Sequence, residues 1–226
     1  MTLDKLEIAR IEDVVITNIR ICYDREQEAL VQLGRRSKTE GEIRAAAGNL
    51  VEHLLQNIID TLNQEIQEAR IESKVGSTDF LTKEIEYKGK IFTFDQIQVD
   101  RHVWANGRRI AFIENKTYLD SCYYDRALAD FRKIAQSLNQ HGVDPVECQY
   151  IVFVGQNAAS GKTLLTYEAD FWNDVKHLTK APEGITPKVF FFLKGKRSSQ
   201  LPLYKIRHEL NEPTIRAFTR LMISLL

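Results

Sequence analysis

Apolar residues recur every three or four positions from Leu3 to Leu33, and Gly34-Arg35-Arg36 closes the run, so the chain should open with one long helix or two shorter ones. A second helical period follows. Leu50, Leu54, Ile58, Leu62 and Ile66 stand four apart behind Ser37-Lys38-Thr39-Glu40, which has capping-box spacing, and this helix is expected to reach about Arg70. Lys74 to Asp79 is built from loop-forming residues. From Ile85 the texture becomes strand-like: two short runs flank a Lys88-Gly89-Lys90 turn, then Asp95–Trp104 and Arg108–Tyr118 flank Asn106-Gly107, a strong hairpin signal. Three antiparallel strands are expected. The helical period returns from about Asp120 to Gln140, with Leu128, Phe131, Ala135 and Leu138 on one face and His141-Gly142 as its stop. A strand over Gln149–Val154, a short helix over about Ala169–Leu178 and a strand over Lys188–Gly195 come next. Pro213 then opens a final helix in which Ile215, Phe218, Leu221 and Leu225 share a face.

This order predicts an α/β (α+β) protein: a central mixed sheet flanked by helices, preceded by an N-terminal helical region over residues 1–36, with residues 37–226 as the core. At 226 residues and 43% hydrophobic composition the chain can bury one good core, so the two regions are expected to form a single compact domain. Thirty-one basic and 31 acidic side chains cancel, leaving no net field to draw in a polyanion; any such partner must meet a local patch. The N-terminus is charged throughout and no segment has the length and apolarity of a spanning helix, so no membrane association is expected. Cys22, Cys122 and Cys148 are odd in number and far apart, which fits reduced thiols in a cytoplasmic setting.

The segment Val152 to Leu165, VFVGQNAASGKTLL, looks like a strand entering a phosphate-binding loop. That loop needs four residues between its first glycine and Gly-Lys-Thr, whereas Gly155 and Gly161 enclose five. A nucleotide site also needs a later strand ending in an acid to hold magnesium, and the best later strand ends in Lys194. No nucleotide cofactor is expected. Gln156, Asn157, Ser160 and Lys162 remain as hydrogen-bonding groups suited to contacting DNA.

The hairpin carries stronger chemistry. Asp100 lies on its first arm, and Glu114 and Lys116 lie on its second, where alternation points the latter two the same way. Two carboxylates converging with an amine suit metal-assisted phosphodiester hydrolysis. The acids hold a hard cation such as Mg2+, and the lysine orients water or stabilises developing charge. Register decides whether they meet. A two-residue Asn106-Gly107 turn pairs Ala105 with Arg108 and turns Asp100 to the opposite face, so a bulged turn, or a distortion near Asp100, is required.

Asp100, thirteen intervening residues and then Glu114-Asn115-Lys116 resemble the signature of the PD-(D/E)xK nucleases, which include most type II restriction endonucleases. The order of helix, meander, helix and strand is similar over roughly residues 37–155. Val99 departs from the pattern, standing where the family often has proline. The resemblance implies a restriction-endonuclease-like core and a magnesium-dependent enzyme that cuts double-stranded DNA. It also offers Glu52, on the helix before the meander, as an additional metal ligand. A short palindromic target would be matched by a homodimer, for which the N-terminal helices and the final helix offer apolar faces. Two alternatives remain: a structure-specific repair or recombination nuclease of the same fold, and a non-catalytic DNA-binding protein.

Glu72-Ser73-Lys74 and Glu86-Tyr87-Lys88 also read ExK, but the first is expected at a helix end and the second runs into a turn. Asp120 is read as an N-cap and His102 as structural. For DNA contact, the segment Lys194 to Arg207 holds five basic residues and no acid. Lys194, Lys196 and Arg197 would meet phosphates, with Arg101, Arg108, Arg109 and Arg126 adding to the patch, and Ser198, Ser199 and Gln200 would reach bases. Tyr118, Tyr123 and Tyr124 cluster after the hairpin, placed either for the DNA backbone or for core packing.

Overall fold

The computed structural model describes residues 3–36, 39–74, 82–95, 99–140, 148–158, 185–195, 197 and 203–226. The N-terminal periodicity forms one helix, α1 (Lys5–Arg36), which continues through Gly34. That glycine serves packing instead of termination, because a Cβ there would lie 2.7 Å from the Tyr204 ring. Helix α2 (Glu40–Glu65) follows Thr39 at its N-cap; Ser37 lies outside the described residues. It stops short of Arg70. The chain passes through a 3-10 turn over Gln67–Ala69, and Arg70 takes a left-handed φ of 40°. The Asn63 side chain grips the backbone N–H and C=O of Ile71, both at 2.7 Å, and the reversed chain becomes strand β1 (Ile71–Lys74). Glu72-Ser73-Lys74 is thus on a strand, where the sequence pattern suggested a helix end.

Strands β2 (Thr82–Tyr87) and β3 (Lys90–Asp95) join through Lys88 and Gly89, both at positive φ, and form a two-stranded sheet of their own. They are not the first arm of the main meander, as the sequence suggested. Alternation marks a strand without saying which sheet it enters. The main sheet contains β1, β4 (Arg101–Ala105), β5 (Arg108–Leu119), β6 (Cys148–Asn157) and β7 (Ile185–Phe191), in the order β1-β4-β5-β6-β7. The first three are antiparallel, and β5, β6 and β7 run parallel. Helix α3 (Ser121–Gln140) makes the crossover from β5 towards β6, capped by Asp120, whose Oδ1 accepts the Tyr123 N–H at 2.9 Å. The helix expected over Ala169–Leu178 lies outside the described residues.

Strand alternation sorts the core into two layers. Ala111, Ile113, Ile151 and Phe153 face α1, α2 and the final helix α4 (Glu212–Ser224). Phe112, Tyr150, Val152 and Val154 face α3. The molecule is therefore a mixed sheet between helical layers, with the N-terminal helix built into one of them. Helix α4 buries Ile215, Phe218 and Met222 completely within the chain and leaves Leu221 and its C-cap Leu225 half-buried. Among the described residues no helix is long and apolar enough to cross a membrane.

Candidate active site

The hairpin between β4 and β5 decides the site. Asn106 (φ 52°) and Gly107 (φ 77°) form the two-residue turn that an Asn-Gly pair favours, and Ala105 pairs with Arg108. Continued regularly, that register would turn Asp100 away. It does not continue: Trp104 pairs with Arg109, but Val103 pairs with Ala111, so Ile110 is an extra residue on β5. Beyond this bulge Arg101 faces Ile113, which sets Asp100 opposite Glu114. The required distortion exists, closer to the turn than to Asp100.

Three side chains meet as a result. The Lys116 Nζ lies 2.5 Å from Glu114 Oε2 and 3.2 Å from Asp100 Oδ2. The backbone N–H of Asn115 donates to the same Asp100 oxygen at 2.7 Å. No sequence signal marks this anchor, because it is a main-chain group. Exposure grades across the cluster, with side chains 4% exposed at Glu114, 16% at Lys116 and 37% at Asp100, so the site opens on the Asp100 side.

Burial pushes the Glu114 carboxyl up to about 8; the Lys116 charge opposes the rise and the Asp100 charge adds to it. Burial alone would lower Lys116, but the two carboxylates outweigh it and hold the ammonium above its ordinary value. Tyr150, beneath the cluster, is raised well above the usual tyrosine range by burial, with the Glu114, Asp130 and Asp100 charges adding to the shift; its hydroxyl donates to Ala127 O at 2.8 Å. One acceptor stands apart. Glu114 Oε1 is buried with no hydrogen-bond partner among the described residues, and both bonds to Asp100 fall on Oδ2, leaving Oδ1 clear of them. Hard oxygen donors in this state fit a small divalent cation.

Glu52 is half-buried on α2, the helix that covers the other face of the sheet. Among the described residues no three acidic, histidine or cysteine side chains converge as a ready-made metal cage. Gln156 is 2% exposed and places its amide nitrogen 3.0 Å from His208 Nδ1, so it stands inside the fold. Asn157 is half-buried at the end of β6, where its carbonyl accepts the Arg197 N–H at 3.0 Å. Lys194 is exposed and paired with Glu209 at 2.9 Å, and the Arg197 guanidinium lies 3.3 Å over the Tyr118 ring. Ser160, Lys162, Lys196, Ser198, Ser199 and Gln200 lie outside the described residues. His102 is fully buried between Trp104 and Phe112, as a structural histidine would be.

The former phosphate-loop glycine has a packing reason. A Cβ on Gly155 would stand 2.2 Å from the Thr117 carbonyl oxygen, so this residue lets β5 and β6 approach beside the site. No protein-family model matches the chain, and no curated protein matches it.

Proposed function

We propose that the chain is a magnesium-dependent endonuclease of the PD-(D/E)xK kind, acting on double-stranded DNA at a short palindrome. The observation that carries this reading is the bulge at Ile110, which brings Asp100, Glu114 and Lys116 together at the edge of the α3 layer. Helix α2, the antiparallel β1-β4-β5 meander, α3 and the parallel β6 follow the order expected of that family.

Asp100 and Glu114 would hold the ion through carboxylate oxygens, with Glu114 Oε1 and Asp100 Oδ1 outside the bonds to Lys116. A bound magnesium ion supplies polarisation of the scissile phosphate and acidification of a coordinated water. The chain's own groups do the rest. Lys116 stays protonated because the Asp100 charge, and the Glu114 charge once that carboxyl ionises, favour the ammonium, so it stabilises developing negative charge in preference to accepting a proton. The Asn115 N–H fixes the Asp100 carboxylate, removing a rotamer search from the reaction. A two-fold DNA site is matched most simply by two copies of the chain.

Supercoiled plasmid incubated with Mg2+ should give discrete fragments, and EDTA should abolish them. Glu114→Ala should reduce cleavage by at least about 100-fold, by analogy with loss of a main electrostatic contact. Structure-dependent nicking without discrete fragments would favour the repair-nuclease reading. A Glu114→Ala protein that cuts normally would falsify the site.

A further inference from the structure

A cavity of about 320 Å³ opens where the C-terminal ends of β5 and β6 meet the first turns of α2, next to the catalytic cluster but separate from it. Its walls are of three kinds. Tyr118 and Tyr123 stand edge to face with centroids 5.1 Å apart, and Tyr204 forms a further aromatic wall. Gly34 secures that wall, since any side chain at that position would strike the Tyr204 ring at 2.7 Å. Arg197 lies flat on Tyr118 with its guanidinium carbon 3.3 Å from the ring centroid. Arg44 reaches the mouth and is held by Glu40 at 2.8 Å, and the buried amide of Gln156 contributes to the lining.

We infer that this cavity binds an unpaired nucleobase carrying a phosphate. Its volume of about 320 Å³ suits a small ligand, and its tyrosine-lined walls suit a planar ring system. A guanidinium already stacked on a tyrosine offers its plane to a base, and stacking of this kind tolerates any base because each has a π-face. Arg44 and Arg197 supply positive charge for a phosphate, and with Glu40 paired to Arg44 these three lining groups keep a net positive charge of one. Gln156 also lines the cavity, with its amide nitrogen already 3.0 Å from His208 Nδ1. The cavity's place gives the ligand a use. Tyr118 lies two residues past Lys116, about 7 Å along the strand. If the nuclease reading holds, on which this use rests, the cavity receives a nucleotide unstacked beside the scissile phosphate. The same chemistry would also bind a free mononucleotide.

The test uses the full chain in EDTA, so that nothing is cut. A short single strand containing 2-aminopurine should lose fluorescence on binding as the base stacks on tyrosine and guanidinium. Arg197→Ala should weaken this binding about tenfold, the scale of one stacking contact. Ala47 of α2 lines the cavity at a half-buried position, and Ala47→Leu, which narrows it, should weaken binding at least as much while the protein keeps its cooperative melt. Competition by deoxyadenosine monophosphate at the same concentration would assign the cavity to free nucleotides, whereas selectivity for the strand would assign it to DNA. Unchanged fluorescence, or equal binding by Ala47→Leu, overturns the inference. Plasmid cleavage by the same preparations separates the two ideas: protein that cuts without quenching loses only the cavity, and protein that quenches without cutting loses only the nuclease.

Discussion

At the scale of single residues, Glu114 carries the sharpest consequence. Its folded-state value of about 8 lies above the ordinary 4.5, so the folded chain binds that proton more tightly than the unfolded chain. The stabilisation is complete below about pH 4.5 and declines as pH rises towards 8, by at most ~1.4 kcal/mol per pH unit. Glu114→Gln keeps the shape and removes the ionisation, so its melting temperature should gain on the wild type as pH climbs from about 5 to about 8. Parallel melting curves for the two proteins across that range would show that Glu114 ionises freely. That Asp100, Glu114 and Lys116 belong together was legible in the sequence, because their identities and spacing mark them, and the Lys116 ammonium does reach both carboxyl groups. Gln156 was not: a glutamine beyond a buried strand reads as exposed, and only its bond to His208 and its 2% exposure place it inside.

At the scale of elements, helices were legible wherever one face is apolar over several turns, and both two-residue turns were announced by glycine. Strand β1 was hidden because four residues are too few to display alternation, and because its start is fixed by Asn63, a side chain from the preceding helix. The bulge was required by the chemistry but could not be located, since Ile110 is simply one more apolar residue in a buried strand. The β5–β6 pair allows a direct test. Gly155→Ala would force a Cβ to within 2.2 Å of a backbone oxygen that cannot rotate away, so the strands must part. The expected loss is at least about 2 kcal/mol, in the range of overpacked cores. On the proposed nuclease reading, cleavage should fall with it, because β5 carries Glu114 and Lys116. Denaturant unfolding gives the first quantity, and an unchanged midpoint would mean that the strand pair yields at little cost.

At the scale of the whole molecule, the division into residues 1–36 and the remainder describes the chain's order but not its core. Ile11, Val15, Ile19 and Leu30 of α1 belong to the same buried cluster as Leu54 of α2, Ile113 of β5 and Phe218 of α4. Polar groups close the seam. Glu12, 2% exposed, receives Arg216 and Arg220 from α4, and the Tyr23 hydroxyl donates to His208 O at 2.9 Å. None of these pairings was visible in the sequence, since they join residues at opposite ends of the chain. They lead to a definite expectation for a protein beginning at residue 37. Without α1, the apolar faces of α2 and α4 lose their cover, and at ~25 cal/mol per Å² even a few hundred Å² of newly wet surface approaches the whole stability of an ordinary domain. The shortened chain should therefore keep helical circular dichroism while losing its near-ultraviolet signal and its cooperative melt. The complete chain should unfold in a single transition seen alike by both signals. A truncated chain that melts cooperatively at the wild-type temperature would make α1 an appendage, and the sheet that carries Asp100, Glu114 and Lys116 would then stand on α2, α3 and α4 alone.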